Sequence, residues 1–202
     1  MSTLLVAWAV FPLVLAVLSA GCGLLVEAAA GERLPAALLL PVGFALIVVA
    51  CLFTTAVEIT ARLTVPLVVV LAAAGFVVAR GGLASRLRLD RWATGGALAV
   101  FAAVGAPVVL SGNATFTGYF TLDDTASWLG FVDRLLTRGR TLGGLQPSSY
   151  EATLHYYWVQ YGYPVGIYPP LGIGRVLLGT DPAWLFQPYL AFLAAMLALA
   201  LY

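Results

Sequence analysis

Charge is what this sequence has least of. Only 9% of its 202 residues are charged, about a third of the ~25% usual in soluble domains, which excludes an ordinary water-soluble globule. Lysine is absent: all ten basic residues are Arg, and the formal net charge is +1. That is too small for the basic surface that nucleic-acid binding uses to displace phosphate counterions. The two cysteines, Cys22 and Cys51, lie inside apolar runs and give neither a disulfide framework nor a zinc site. One histidine, His155, without any CxxC or HExxH pattern, leaves no complete transition-metal site. In place of polar residues the chain has 62% apolar and 12% aromatic residues and a mean hydropathy of +0.99. This is the reverse of the composition that keeps chains unfolded.

The expected solvent is therefore lipid. A helix rising 1.5 Å per residue needs about 20 apolar residues to cross a hydrocarbon layer of about 30 Å. Five runs approach that length: 4–26, 36–55, 63–79, 93–110 and 182–202. The third is the shortest, and Glu58, Arg62 and Arg80 at its flanks suit a short span held by snorkelling side chains. Leu18-Ser19-Ala20-Gly21-Cys22 loosely matches a lipoprotein cleavage box, yet no basic residue precedes the apolar stretch, which exceeds a signal core in length.

Arginine placement predicts orientation. Arg80, Arg86, Arg88 and Arg91 cluster after the third run against a single Asp90, so that connector is expected in the cytoplasm. Counting spans from it puts the amino terminus outside, Cys22 and Cys51 too far apart to bridge, and residues 111–181 outside. The expected organisation is an all-α integral membrane protein with about five transmembrane helices. Residues 1–92 form a three-span bundle with the arginine-rich loop, 93–110 the fourth span, 111–181 a long extracytoplasmic loop and 182–202 the fifth span. A bacterial plasma membrane is the expected location.

A loop of this length is functional or structured in its own right. Trp128, Phe131, Val132, Leu135 and Leu136 fall at helical spacing, with Asp133, Arg134, Thr137 and Arg138 on the other face. This predicts an amphipathic helix over 125–138, stopped by Gly139, lying on the membrane with its tryptophan face in the acyl boundary. Ser148 and Glu151 have capping-box spacing, and Asp181-Pro182 reads as a cap opening the last span. Tyr150, Tyr156, Tyr157, Trp158, Tyr161, Tyr163 and Tyr168, broken by Pro164, Pro169 and Pro170, read as an interfacial belt or as a ring-stacking surface for a sugar or lipid carrier.

Adjacent carboxylates, Asp123 and Asp124, open the surface helix, where free backbone amides and the helix dipole favour their ionised form. One of them can serve as the helix cap; two exceed that need. Such a pair suits a general base on an acceptor hydroxyl, or a divalent cation bridging to phosphate. Arg134, Arg138 and Arg140 could pair with a phosphate, or simply meet lipid headgroups. Glu151 and His155 stand four residues apart on one helical face, suiting an acid–base pair or a donor contact, or a hydrogen-bonded structural histidine. Asn113-Ala114-Thr115 has the glycosylation-acceptor pattern, to which no function is attached.

An outer loop with an acidic pair, a surface helix and then Tyr163-Pro164-Val165-Gly166-Ile167-Tyr168-Pro169-Pro170-Leu171 resembles the C-type superfamily of membrane glycosyltransferases over residues 93–202. The resemblance implies a polyprenyl-phosphate sugar as donor, membrane lipid as surroundings, and Asp123 and Asp124 as catalytic base or metal contact. The match is carried onto Asp123 and Asp124 only; the residues' own chemistry makes Arg134, Arg140, His155, Tyr157 and Tyr168 the expected substrate contacts. Three spans before the acidic loop, where members usually place one, depart from that pattern. The apolar run reaching Tyr202 without a polar flank predicts further spans beyond it. Two other readings belong to different classes: a transporter or flippase for a lipid-linked substrate, marked by charges at membrane depth, and a non-catalytic partner in an assembly, marked by residues 128–136 being buried in protein.

Overall fold

The computed structural model describes residues 3–86, 90–118 and 123–202, with backbone alone at Ala84, Asp123 and Asp124. Four helices are long and apolar enough to cross a membrane: α1 (Thr3–Ala30), α2 (Ala36–Thr54), α6 (Arg91–Val109) and α10 (Pro182–Leu201). Shorter helices are α3 (Glu58–Ala61), α4 (Thr64–Val78), α5 (Leu83–Arg86), α7 (Asp123–Arg138), α8 (Ser149–Leu154) and α9 (Pro169–Leu178). The described residues contain no strand.

Of the about five spans expected, four form helices of crossing length, and the third, expected as the shortest, falls below it. Its helix, α4, has 15 residues and rises only about 22 Å. A threonine corner starts it late. Buried Thr54 and Thr64 hydroxyls share a hydrogen bond of 2.8 Å, and Thr55 Oγ1 donates to the Cys51 carbonyl at 2.6 Å. Thr60 Oγ1 donates to the Thr54 carbonyl at 2.6 Å, and Thr64 Oγ1 to the Ala61 carbonyl at 2.7 Å. These bonds satisfy carbonyls that helix termini leave unpaired, so the chain can turn before the apolar run has been used up.

Small residues set the spacing of α1, α2 and α4. A Cβ on Gly43 would overlap the Ser19 carbonyl, one on Gly75 the Gly21 carbonyl, and one on Gly21 the Ala72 backbone. Backbone approach of this kind is how helices pack when lipid removes the hydrophobic incentive to associate. The stretch 18–22 lies in the middle of α1, packed against both neighbours. Cys22 and Cys51 are buried and unbridged. Helix α6 lies mainly against α10.

The two ends of the bundle differ. At one end Glu27, closing α1, pairs with Arg86, whose Nη2 also donates to the Leu34 carbonyl at 2.9 Å, while Leu34 N–H donates to Glu27 at 2.7 Å. Nearby, Asp90 caps α6 by accepting from the Trp92 and Ala93 amides at 2.8 and 3.0 Å, and accepts from the Tyr202 hydroxyl at 3.0 Å. The Ala93 amide, then the Tyr202 hydroxyl and the Trp92 amide, hold the Asp90 carboxyl below its ordinary value. Of the arginine-rich connector, Arg88 lies outside the described residues.

The other end carries the threonine corner and the segment 111–181. This segment is docked, not draped. Arg138 pairs with Glu58 at 2.6 Å, Arg140 N–H donates to the Thr55 carbonyl at 2.9 Å, and Arg140 Nη2 donates to the Leu52 carbonyl at 3.3 Å. The turn Val165–Ile167 lies beside α2, with Gly166 against the Val48 carbonyl and Leu52. Helix α9 follows it into the bundle, touching α2, α7 and α10, and residues 169–174 are all buried. The proline- and glycine-rich stretch is thus a wedge between helices: Gly172 accepts Leu136 and Val132 of α7, and Gly174 accepts Leu185 and Phe11.

Candidate functional site

Helix α7 forms over the expected residues and is amphipathic, but its apolar face is turned inward. Phe131, Val132 and Leu135 are almost fully buried by the chain itself, against Tyr157, Trp158, Tyr168 and the glycine face of α9. The expected acyl-boundary placement of that face is corrected accordingly: α9 covers the surface that lipid was expected to cover. Burial in protein, the sign assigned to an assembly partner, is met internally.

The helix begins at Asp123, with Asp124 next; both side chains lie outside the described residues, as do residues 119–122. What leads to them is described. Thr117 adopts a left-handed backbone (φ 61°), as does Gly118 (φ 71°), and Thr117 N–H donates to the Ala183 carbonyl at 2.8 Å. A β-branched residue in that region is strained by roughly 1–2 kcal/mol. The connector is therefore pinned to the start of α10 just before the acidic pair. Gln187 packs against Gly118 with its amide buried and without a partner among the described residues.

Beside the α7 start, Ser127, Trp128, Phe131, Tyr157, Tyr163 and Tyr168 line a pit of about 100 Å³. Trp128 meets Tyr168 edge to face at 4.9 Å, and Phe131 meets Tyr157 at 5.7 Å, the geometry aromatic quadrupoles favour. The pit has room for a few waters, not for a sugar ring. Tyr168 is a buried wall, while Tyr157 and Tyr163 reach the rim. The tyrosines at 156 and 161 are exposed and pair with each other at 4.4 Å. Their mutual hydrogen bond raises the Tyr156 hydroxyl above its ordinary value.

The expected basic contacts separate. Arg138 and Arg140 are held by Glu58 and by the α2 end, so they anchor the segment. Arg134 donates its Nε to the Thr141 carbonyl at 2.9 Å and Nη2 to the Gly143 carbonyl at 3.1 Å. His155 is exposed at the junction of α8 with the π-helical turn His155–Gln160. The cap of α8 forms as expected, Ser148 Oγ accepting from the Glu151 amide at 3.2 Å. Among the described residues no three His, Cys, Asp or Glu side chains converge on a metal site.

Sequence reasoning missed Arg175, near the end of α9, which pairs with Asp133 of α7. Together with Arg134 and Tyr150 it lines an open cleft of about 580 Å³. Only a local clue existed, an unpaired Asp133 on the polar face of α7. No family, curated protein or solved structure matches this chain.

Proposed function

We propose that this chain is part of a membrane glycosyltransferase that moves a sugar from a lipid-linked phosphate donor to an acceptor outside the cytoplasm. The bundle end bearing residues 111–181 would face outward, and the end bearing Arg86 the cytoplasm of a bacterial plasma membrane. The observation that carries this reading is the docking of residues 111–181 as a structured cap over one bundle end, with α7 opening on Asp123-Asp124. The start of a helix favours ionised carboxylates, as a base requires. Asp123 or Asp124 would take the acceptor hydroxyl proton while the acceptor oxygen bonds to the anomeric carbon. The carbon–oxygen bond to phosphate breaks, and the lipid phosphate leaves with the electron pair. Tyr157 and Tyr163 at the pit rim offer faces to the sugar, and His155 a further contact.

The test is transfer from a polyprenyl-phosphate sugar by membranes holding the full-length Asp123→Asn/Asp124→Asn double variant. A general base contributes about 10²–10⁴-fold, so transfer should fall by at least that factor with membrane insertion unchanged. Full activity of the double variant refutes the reading.

A further inference from the structure

We propose that the cleft between α7 and α9, bounded by Asp133, Arg134, Tyr150 and Arg175, is a binding site for a phosphate group. The assignment deepens the sugar-transfer reading, on which its lipid-phosphate ligand rests, and its binding test is separate from transfer activity.

Two guanidinium groups from different helices line this one opening, and they are prepared differently. Arg134 is fixed from behind: its Nε and Nη2 donate to the Thr141 and Gly143 carbonyls, so its fork has a set direction, and Nη1 has no acceptor among the described residues. Among the described residues the Asp133 carboxylate is the one hydrogen-bond partner of Arg175, and both side chains are half exposed, at 53% and 54%. An exposed ion pair of this kind contributes little net energy. Asp133 therefore acts as a replaceable anion occupying a place a stronger one can take. Planar guanidinium forks match phosphate oxygens in pairs, and the cleft, at about 580 Å³, is far larger than a carboxylate needs.

The remaining walls fit the same ligand. Tyr150 donates its hydroxyl to the Gly130 carbonyl at 2.9 Å, so it braces α8 against α7 and shapes one side without competing for the anion. Burial raises its hydroxyl above the ordinary value, while Arg134 pulls it down and Asp133 pushes it up, placing the three groups in one electrostatic field. Leu136, Thr137 and Val176 complete the lining, with Val176 and Leu177 exposed at the tip of α9. An anion with an apolar extension would find both parts of the site adjacent. Two sources share this chemistry: the phosphate of a membrane lipid, and a soluble phosphate.

The probes are inorganic phosphate, farnesyl phosphate and farnesol, titrated against the detergent-solubilised protein with ligand-induced thermal stabilisation as the readout. Stabilisation by farnesyl phosphate but not by farnesol is expected. Stabilisation by inorganic phosphate to the same degree assigns the soluble source; a clear preference for farnesyl phosphate assigns the lipid source. Arg175→Gln and Arg134→Gln should each weaken binding by about tenfold or more, the loss of one charge-assisted pair. Asp133→Asn should strengthen it, because the competing carboxylate is gone; a merely structural ion pair would not give that sign. The Asp123→Asn/Asp124→Asn variant should bind as the natural protein does, which separates this site from the proposed reaction. Equal stabilisation by farnesol, or phosphate affinity unmoved by Arg175→Gln and Asp133→Asn, overturns the proposal.

Discussion

Gln187 is 1% exposed, and neither end of its amide has a partner among the described residues. A buried amide left unpaired costs about 1–3 kcal/mol, and a methionine of similar shape carries no such penalty. Gln187→Met should therefore stabilise the solubilised protein by about 1 kcal/mol, or roughly 2–4 °C in the unfolding midpoint of a chain this size. Circular dichroism during heating would measure it; a fall instead would mean that the amide is paired in the membrane. Local signals at this scale were readable in advance. Asp181 accepts from the Ala183 amide at 2.8 Å, as its Asp-Pro context predicts, and Gly139 stops α7 with a φ of 62°. Arg175 and Gln187 were not readable, because their significance depends on groups far along the chain: Asp133 lies 42 positions from Arg175.

Helices are legible from apolar length and periodicity, and their covering is not. The pattern of α7 told which residues would be buried, Phe131, Val132 and Leu135 among them, but lipid and a wedge of protein reward the same pattern. The wedge itself, residues 163–174, read as an aromatic loop because three prolines and three glycines mask a short helix. Its glycines, like those of α1, α2 and α4, matter through the approach they allow. Gly43→Leu and Gly75→Leu would each drive a side chain into the opposing backbone. A loss of about 1–3 kcal/mol, the usual cost of overpacking, is expected for each, read as a lower unfolding midpoint in detergent. Gly81→Leu, with open space around its Cβ position, is the control expected to change little.

The whole molecule is polar along its long axis in the sense that matters for a membrane. At one end Glu27, Leu34 and Arg86 are tied together, and Asp90 to Tyr202, whereas at the other Arg138 is tied to Glu58 and Arg140 to the threonine corner. These contacts join segments from across the chain, and they fix which connectors share a compartment without saying which compartment it is. Arginine excess supplies that second piece. Single cysteines at Gly81 and Gly143, both with open surroundings, would read the result on whole cells, because native Cys22 and Cys51 are buried and should add little background. An impermeant maleimide should label Gly143→Cys and leave Gly81→Cys untouched until the cells are permeabilised. The reverse pattern would keep the fold and invert the molecule, putting Asp123, Asp124 and the Arg134–Arg175 cleft in the cytoplasm. An acceptor outside the cell could not then reach them.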